Sequence, residues 1–187
     1  MTKPDHPENI IYMNEREIDK AIEKMCQEII TKKKNLNQLA VVGIKTKGEF
    51  IAKRLINKIE QTIDHPINKG TLDITLYRDD FDTLGNLSVG ETDLLFNVEG
   101  KRIILVDDVL YTGRTIRSAI DQIVDFGRPA EIELAVLVDR GGRELPICGN
   151  YVGEKILINH DEYIQVQIKE IEGIDQVIRL RKEKSES

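Results

Sequence analysis

Ile103-Ile104-Leu105-Val106-Asp107-Asp108-Val109-Leu110-Tyr111-Thr112-Gly113-Arg114-Thr115 is the most informative stretch of this chain. Its first four residues are apolar without alternation, as in a strand buried on both faces of a parallel sheet. The run ends in two carboxylates. After Val109-Leu110-Tyr111, the residues Thr112-Gly113-Arg114-Thr115 open a helix whose apolar face is Ile116, Ala119, Ile120, Ile123 and Val124. In open parallel sheets, ligands gather outside the carboxyl ends of strands. A helix N-terminus there offers unpaired N–H groups, Gly113 lets the backbone approach closely, and Thr112 and Thr115 add hydroxyls, a set suited to a phosphate monoester. Adjacent carboxylates repel, so Asp107 and Asp108 need partners such as sugar hydroxyls or a magnesium ion; otherwise they form a solvated acidic turn.

Outward from this stretch the pattern repeats. Leu39-Ala40-Val41-Val42-Gly43-Ile44 and Leu134-Ala135-Val136-Leu137-Val138 are further buried strands. Ile18, Ala21, Ile22, Met25, Cys26, Ile29 and Ile30 place an apolar stripe on a helix from about Glu15 to Lys33, and Phe50, Ile51, Leu55, Ile56 and Ile59 place another on a second helix. Leu72, Ile74 and Leu76 alternate with polar residues, predicting a strand with one polar face. Beyond Asp139 the chain turns irregular, then offers short strands near Tyr163 to Ile168 and Gln176 to Leu180, ahead of a charged tail from Arg181 to Ser187. Strand, helix, strand order predicts one α/β domain over residues 1–187 with a mostly parallel central sheet flanked by helices. Arg78 to Gly100 is too long for an ordinary connection and reads as a lid, with only Asp93 to Val98 strand-like.

Composition excludes several classes. The formal charge is −6, from 33 acidic and 27 basic residues, so no bulk electrostatic attraction to nucleic acid exists. No stretch reaches the roughly 18 apolar residues of a membrane span. Cys26 and Cys148 lack the grouping of a zinc site and read as reduced thiols. A cytoplasmic protein is expected.

Gly43-Ile44-Lys45-Thr46-Lys47-Gly48 has the glycine spacing of a nucleotide-binding P-loop, but Glu49 stands where that motif requires lysine. The turn can instead offer N–H groups and two lysines to a pyrophosphate, or be a basic surface turn. Together with the segment from Val106 to Thr115, it resembles the type I phosphoribosyltransferases, which bind phosphoribosyl pyrophosphate (PRPP). Asp73-Ile74-Thr75-Leu76-Tyr77-Arg78-Asp79-Asp80 and Val138-Asp139-Arg140-Gly141-Gly142-Arg143-Glu144-Leu145-Pro146-Ile147 are similar to the PyrR family in particular, with all segments in that family's order from about Asn14 to Leu180.

The resemblance implies a uracil phosphoribosyltransferase that also regulates pyrimidine operons by attenuation. It implies a hood mainly from residues 139–180 and a lid over about 78–100. PRPP would meet Thr46, Lys47, Asp107, Asp108, Val109, Leu110, Tyr111, Thr112, Gly113, Arg114 and Thr115, with Asp107 and Asp108 on the ribose hydroxyls. Arg78 would act at the lid base, although Asp79 or Asp80 could simply pair with it. Val138, Asp139, Arg140 and Ile164 would line the uracil or UMP pocket. Purine enzymes of the superfamily carry an acid just before the Thr-Gly pair, whereas Tyr111 stands here, which favours a pyrimidine. Mg2+ would enter with the substrate near Asp107 and Asp108. Partners implied are PRPP, uracil, UMP or UTP, pyrimidine operon mRNA and further copies of the chain. Cys148, Glu154, Glu23 and Gln27 depart from the family's RNA-facing pattern, while Lys24, Lys32, Lys33 and Lys34 retain positive charge, as a solvated helix end also would. Three readings follow: enzyme and regulator, enzyme alone, or nucleotide-sensing regulator with negligible catalysis.

Overall fold

A five-stranded parallel sheet carries the chain's main core. The computed structural model describes residues 10–32, 36–74, 92–159 and 161–181. In chain order the elements are β1 (Ile10–Asn14), α1 (Glu15–Thr31), β2 (Leu39–Ile44), α2 (Lys47–Ile63), β3 (Asn68–Leu72), β4 (Arg102–Leu110), α3 (Arg114–Asp125), β5 (Glu131–Asp139), β6 (Tyr151–Lys155), β7 (Glu162–Gln167), α4 (Lys169–Glu172) and β8 (Gln176–Arg181). The large sheet has the order β3-β2-β4-β5-β6, every neighbour parallel. From β3 the chain recrosses β2 to reach β4, so the direction of winding reverses beside these two strands. Such a switch point opens a crevice at their carboxyl ends.

The unbroken apolar runs are explained by burial on both faces. Leu39, Val41, Ile104, Val106, Ala135 and Leu137 face a core shared with α1 and α2. Ala40, Val42, Ile44, Ile103, Leu105, Leu134 and Val136 face the other way, toward Ile116, Ala119 and Ile123 of α3. Each fully buried isoleucine or leucine contributes roughly 1.5–3 kcal/mol. Helix α1 starts where Asn14 accepts from the Arg16 and Glu17 N–H groups and Glu17 reaches back to the Asn14 N–H, a capping box. Burial pushes the Cys26 thiol up to about 11, consistent with an inert core residue.

Beneath the sheet, at the end away from the switch point, lies a buried ionic cluster. Arg102, 1% exposed, donates Nε to Glu133 at 2.8 Å and Nη2 to the Tyr151 hydroxyl at 2.9 Å. That hydroxyl donates to Glu133 at 3.0 Å, and Lys32 reaches Glu133 at 3.0 Å while lying 4.3 Å above the Tyr151 ring. Burial alone would raise the Glu133 carboxyl; hydrogen bonds from Lys32 and Arg102 outweigh it and hold the group below its ordinary range.

A second, antiparallel sheet has the order β1-β8-β7, so it draws on the N-terminal strand as well as the C-terminal segment. It is fastened to α2 by Arg54, which meets Glu170 at 3.0 and 2.5 Å and grips both oxygens of Asp175 at 2.8 Å. Four expectations need correction. β3 lies earlier than the alternation around Leu72 to Leu76 suggested, because Asn68 to Thr71 pair in parallel with Ala40 to Gly43 and the strand ends at Leu72. Asp93 to Val98 forms no strand, only a bridge from Asp93 to Thr71. β6 occupies part of the segment expected to be irregular. Val124 is exposed at the end of α3 and does not join the apolar stripe.

Candidate functional site

The acid pair sits on the last turn of pleat in β4, where the strand outruns its partner β2: Val106 pairs with Gly43, and Asp107 to Leu110 continue beside β5 alone. Asp107 is 6% exposed. Its carboxylate accepts from the Asp108 N–H at 2.9 Å, and the Asp108 carboxylate accepts from the Val109 N–H at 2.9 Å. Burial, then the neighbouring Asp108 charge, pushes Asp107 well above the ordinary carboxylate range. Burial also raises Asp108, against the opposing pull of the Lys47 charge. Two carboxylates held so close, one buried and the other half-buried, favour partners that supply protons or positive charge.

Next to the pair, Gly113 adopts φ +94 as the N-cap of α3, and the Thr112 hydroxyl accepts from the Arg114 N–H at 3.3 Å. Only glycine takes that conformation without strain. Leu145 and Ile147 close over it, and a Cβ there would lie 3.4 Å from Ile147. The Thr112 carbonyl accepts from Glu144 and Leu145 at 3.0 and 3.2 Å, and Arg114 pairs with Glu144 at 2.7 Å. Tyr111 to Thr115 thus form a ring of backbone at a helix N-terminus, held from behind by the 143–147 segment.

Across the crevice, the turn from Lys45 to Gly48 follows β2. Gly48 packs so tightly on β4 that a Cβ would come 2.5 Å from the Val106 carbonyl oxygen, which brings the α2 N-terminus directly beside the acid pair. The Lys45–Thr46 peptide is cis, and Thr46, exposed, is the N-cap of α2 without a side-chain cap bond. Lys47 turns toward the smaller sheet: Nζ donates to the Val166 carbonyl and pairs with Glu172 at 3.1 Å.

On the base side, Val138 is buried, and Asp139 is bound by Arg143 at 2.6 Å and by the Gly141 N–H at 3.0 Å. Arg140 lies 3.7 Å above the Tyr111 ring and donates to the Glu162 carbonyl at 2.9 Å, reaching the strand that carries half-buried Ile164. Its Nε is buried with no hydrogen-bond partner. Gly142 abuts the same ring, since a Cβ there would come 2.5 Å from Tyr111 Cε2. The structure therefore brings Thr46, Lys47, Asp107 to Thr115, Val138, Asp139 and Arg140 to one end of the sheet. Arg78 and the first part of the expected 78–100 lid, residues 78–91, lie outside the described residues, as do Lys33 and Lys34. Sequence reasoning gave no role to Arg143, whose partners come from three separate segments.

Lysines on α1 have structural employment. Lys24 donates to the Val152 carbonyl at 3.1 Å, and Lys32 belongs to the buried cluster. Glu23 accepts from Gln27 at 2.9 Å and pairs with Lys58 at 3.2 Å. Cys148 and Glu154 are exposed. No helix of the described residues is long and apolar enough to cross a membrane.

Comparison with known proteins agrees with this geometry. The family model described as phosphoribosyl transferase domain matches residues 11–169. The "Bifunctional protein PyrR" of Syntrophobacter fumaroxidans is 47% identical over 90% of this chain and 91% of its own length. That of Clostridioides difficile is 49% identical over 88% of this chain and 94% of its own. Among solved structures, the hypoxanthine phosphoribosyltransferase of Trypanosoma cruzi in complex with the product IMP superposes with a TM-score of 0.72 at 18% identity, covering 97% of this chain and 98% of that one. This last likeness is one of fold.

Proposed function

Since the chain belongs to the phosphoribosyl transferase domain family and, within it, to the PyrR proteins, we propose that it converts uracil and PRPP to UMP and pyrophosphate. The observation that carries the reading is the Asp107-Asp108 pair, the first buried and the second half-buried, beside the glycine N-cap of α3 at a switch point, in a chain nearly half identical to bifunctional PyrR relatives.

In this reading Asp107 and Asp108 accept the two ribose hydroxyls, whose O–H groups relieve the repulsion of the pair. The 5′-phosphate sits on the N–H groups of the Tyr111 to Thr115 loop with the Thr112 and Thr115 hydroxyls. Pyrophosphate faces the α2 N-terminus, Thr46 and Lys47. Bond breaking at the anomeric carbon runs ahead of attack by uracil N1, whose proton leaves with the pyrophosphate or to water, so negative charge grows on the pyrophosphate and positive charge on the ribose. The fixed dipole at the α2 N-terminus and the Lys47 cation stabilise the first, and the carboxylate pair lies on the side of the second. Holding ribose and base in line supplies the remaining advantage. Uracil lies against Val138, Asp139, Arg140 and Ile164; the buried, unpartnered Nε of Arg140 is a donor suited to a carbonyl oxygen. The catalytic role given to Arg78 rests on the family resemblance.

Among the described residues no group of three or more His, Cys, Asp or Glu side chains could hold a metal by itself. Two carboxylates fit magnesium that arrives with substrate oxygens, which keeps water and phosphate in most of its coordination positions. When bound there, magnesium would offset the charge of the leaving pyrophosphate. The test is UMP formation from uracil, PRPP and magnesium; a chain that binds PRPP yet forms no UMP contradicts the proposal.

The second function proposed is UMP-responsive binding of pyrimidine operon mRNA, supported by the bifunctional relatives. With Lys24 and Lys32 tied into the fold, few cations of α1 are left to meet phosphates, so binding is expected to be weakly salt-dependent. Filter binding of an operon leader stem-loop is expected to tighten on adding UMP; equal retention with and without UMP would leave the enzyme reading alone. A cytoplasmic location fits the two free cysteines, and self-association fits exposed Ile11 and Tyr12 on β1.

A further inference from the structure

Arg143 lies outside every contact assigned above to substrate, yet its guanidinium uses all three nitrogens. Nε donates to the Ile147 carbonyl at 2.8 Å, Nη1 to the Tyr111 carbonyl at 2.8 Å and more weakly to Leu110 at 3.4 Å, and Nη2 to the Asp139 carboxylate at 2.6 Å. These acceptors belong to the segment closing over Gly113, to the loop that starts the α3 N-terminus, and to the end of β5. The ladder's last pair is Leu110 with Asp139, and one further backbone bond, from the Arg140 N–H to the Leu110 carbonyl, joins the strand ends; beyond Leu110 the loop leaves the sheet, and Arg143 ties its Tyr111 carbonyl to Asp139.

We propose that Arg143 is a positioning residue that fixes the distance between the 5′-phosphate loop and the base-side strand end. The inference rests on the phosphoribosyltransferase reading and deepens it. A planar fork is required: one guanidinium spans three acceptors in fixed directions, whereas an ammonium is a compact point charge on a flexible stem. Asp139 contributes as the anionic end of the link, and its same oxygen also accepts from the Gly141 N–H, so the turn that presents Arg140 is set by the same contact. Without the fork, each half of the crevice keeps its own contacts. The Thr112 carbonyl is still held by Glu144 and Leu145, and between the halves there remain the Arg140 N–H bond to the Leu110 carbonyl at 3.0 Å and the Arg140 stack on Tyr111, neither of which grips the Tyr111 carbonyl. What loosens is their register with each other, so ligands spanning both halves suffer and ligands confined to one do not.

The experiment compares Arg143→Met and Arg143→Lys with the wild type in binding of UMP, which spans both halves, and of ribose 5-phosphate, which occupies one. Turnover of uracil and thermal melting are measured on the same samples. Arg143→Met is expected to weaken UMP about tenfold or more and lower kcat about a hundredfold while ribose 5-phosphate binding stays within about threefold, since small misplacement costs alignment more than local contact. Arg143→Lys is expected to restore little of either. Equal losses for both ligands, or UMP binding and kcat at wild-type level in folded variants, would overturn the proposal, as would full rescue by lysine. A wild type that binds ribose 5-phosphate but neither binds UMP nor turns over uracil contradicts the enzyme reading itself, and is recognised before any variant is made.

Discussion

Asp107→Asn/Asp108→Asn is expected to lower kcat/KM for UMP formation about a thousandfold while leaving the chain at least as stable as the wild type at neutral pH. Activity falls because an amide carries no charge to oppose the positive ribose and offers weaker acceptance to its hydroxyls. Stability moves the other way. Both carboxyls are raised in the fold, Asp107 by burial and then by Asp108, and Asp108 by burial against the Lys47 charge. A carboxyl raised in the folded state contributes stability that is fully present below its ordinary pKa of about 4 and is lost as pH rises through the raised folded value. Ionising the pair in the fold therefore costs stability as pH rises, and the amides remove that cost. Their oxygens can still accept from the Asp108 and Val109 N–H groups, so the local backbone is kept. Thermal melts across pH 4 to 8 should show the variant's advantage growing with pH. Retained turnover, or a variant that melts below the wild type at neutral pH, contradicts the roles given to the pair.

Glu133→Gln carries the largest expected loss of stability, about 3–5 kcal/mol, because it leaves the Arg102 guanidinium buried without its close counter-ion. Glu131, 3.5 Å from Arg102 Nε with its side chain 36% exposed, compensates only in part. The pH dependence has the opposite sign to that of the acid pair. Glu133 is held below its ordinary value, so its contribution is present above the ordinary carboxylate pKa and is lost as pH falls through the folded one. Urea unfolding at neutral pH checks the size of the loss. Adding Arg102→Met should recover much of it, since no buried charge is then uncompensated; a double variant as unstable as the sum of the two single ones contradicts coupling between them.

Much of the scaffold was legible because two-sided burial writes itself as unbroken apolar runs: Leu39 to Ile44, Ile103 to Val106 and Leu134 to Val138 all became central strands. β6 was not, for its five residues include Gly153, Glu154 and Lys155, and it pairs on only one side. Gly153 is there because a Cβ would come 2.5 Å from the Leu137 carbonyl oxygen, a constraint visible only once the neighbour is in place. β3 misled for a similar reason, since an edge strand of Asn68, Lys69, Gly70 and Thr71 carries little apolar signal. The site divides in the same way. Asp107 to Thr115 are contiguous, so their chemistry can be read along the chain. Lys47 meets Val166 and Glu172 more than a hundred residues away, and the three acceptors of Arg143 converge only through the ends of β4 and β5.

The most direct test of the uracil phosphoribosyltransferase assignment is initial-rate nucleotide formation by the wild-type chain with PRPP and magnesium, run in parallel on uracil, hypoxanthine, guanine and orotate. Turnover selective for uracil, with one pyrophosphate released per UMP, is the predicted result. Preference for a purine or for orotate, or no turnover with any of the four, would contradict it.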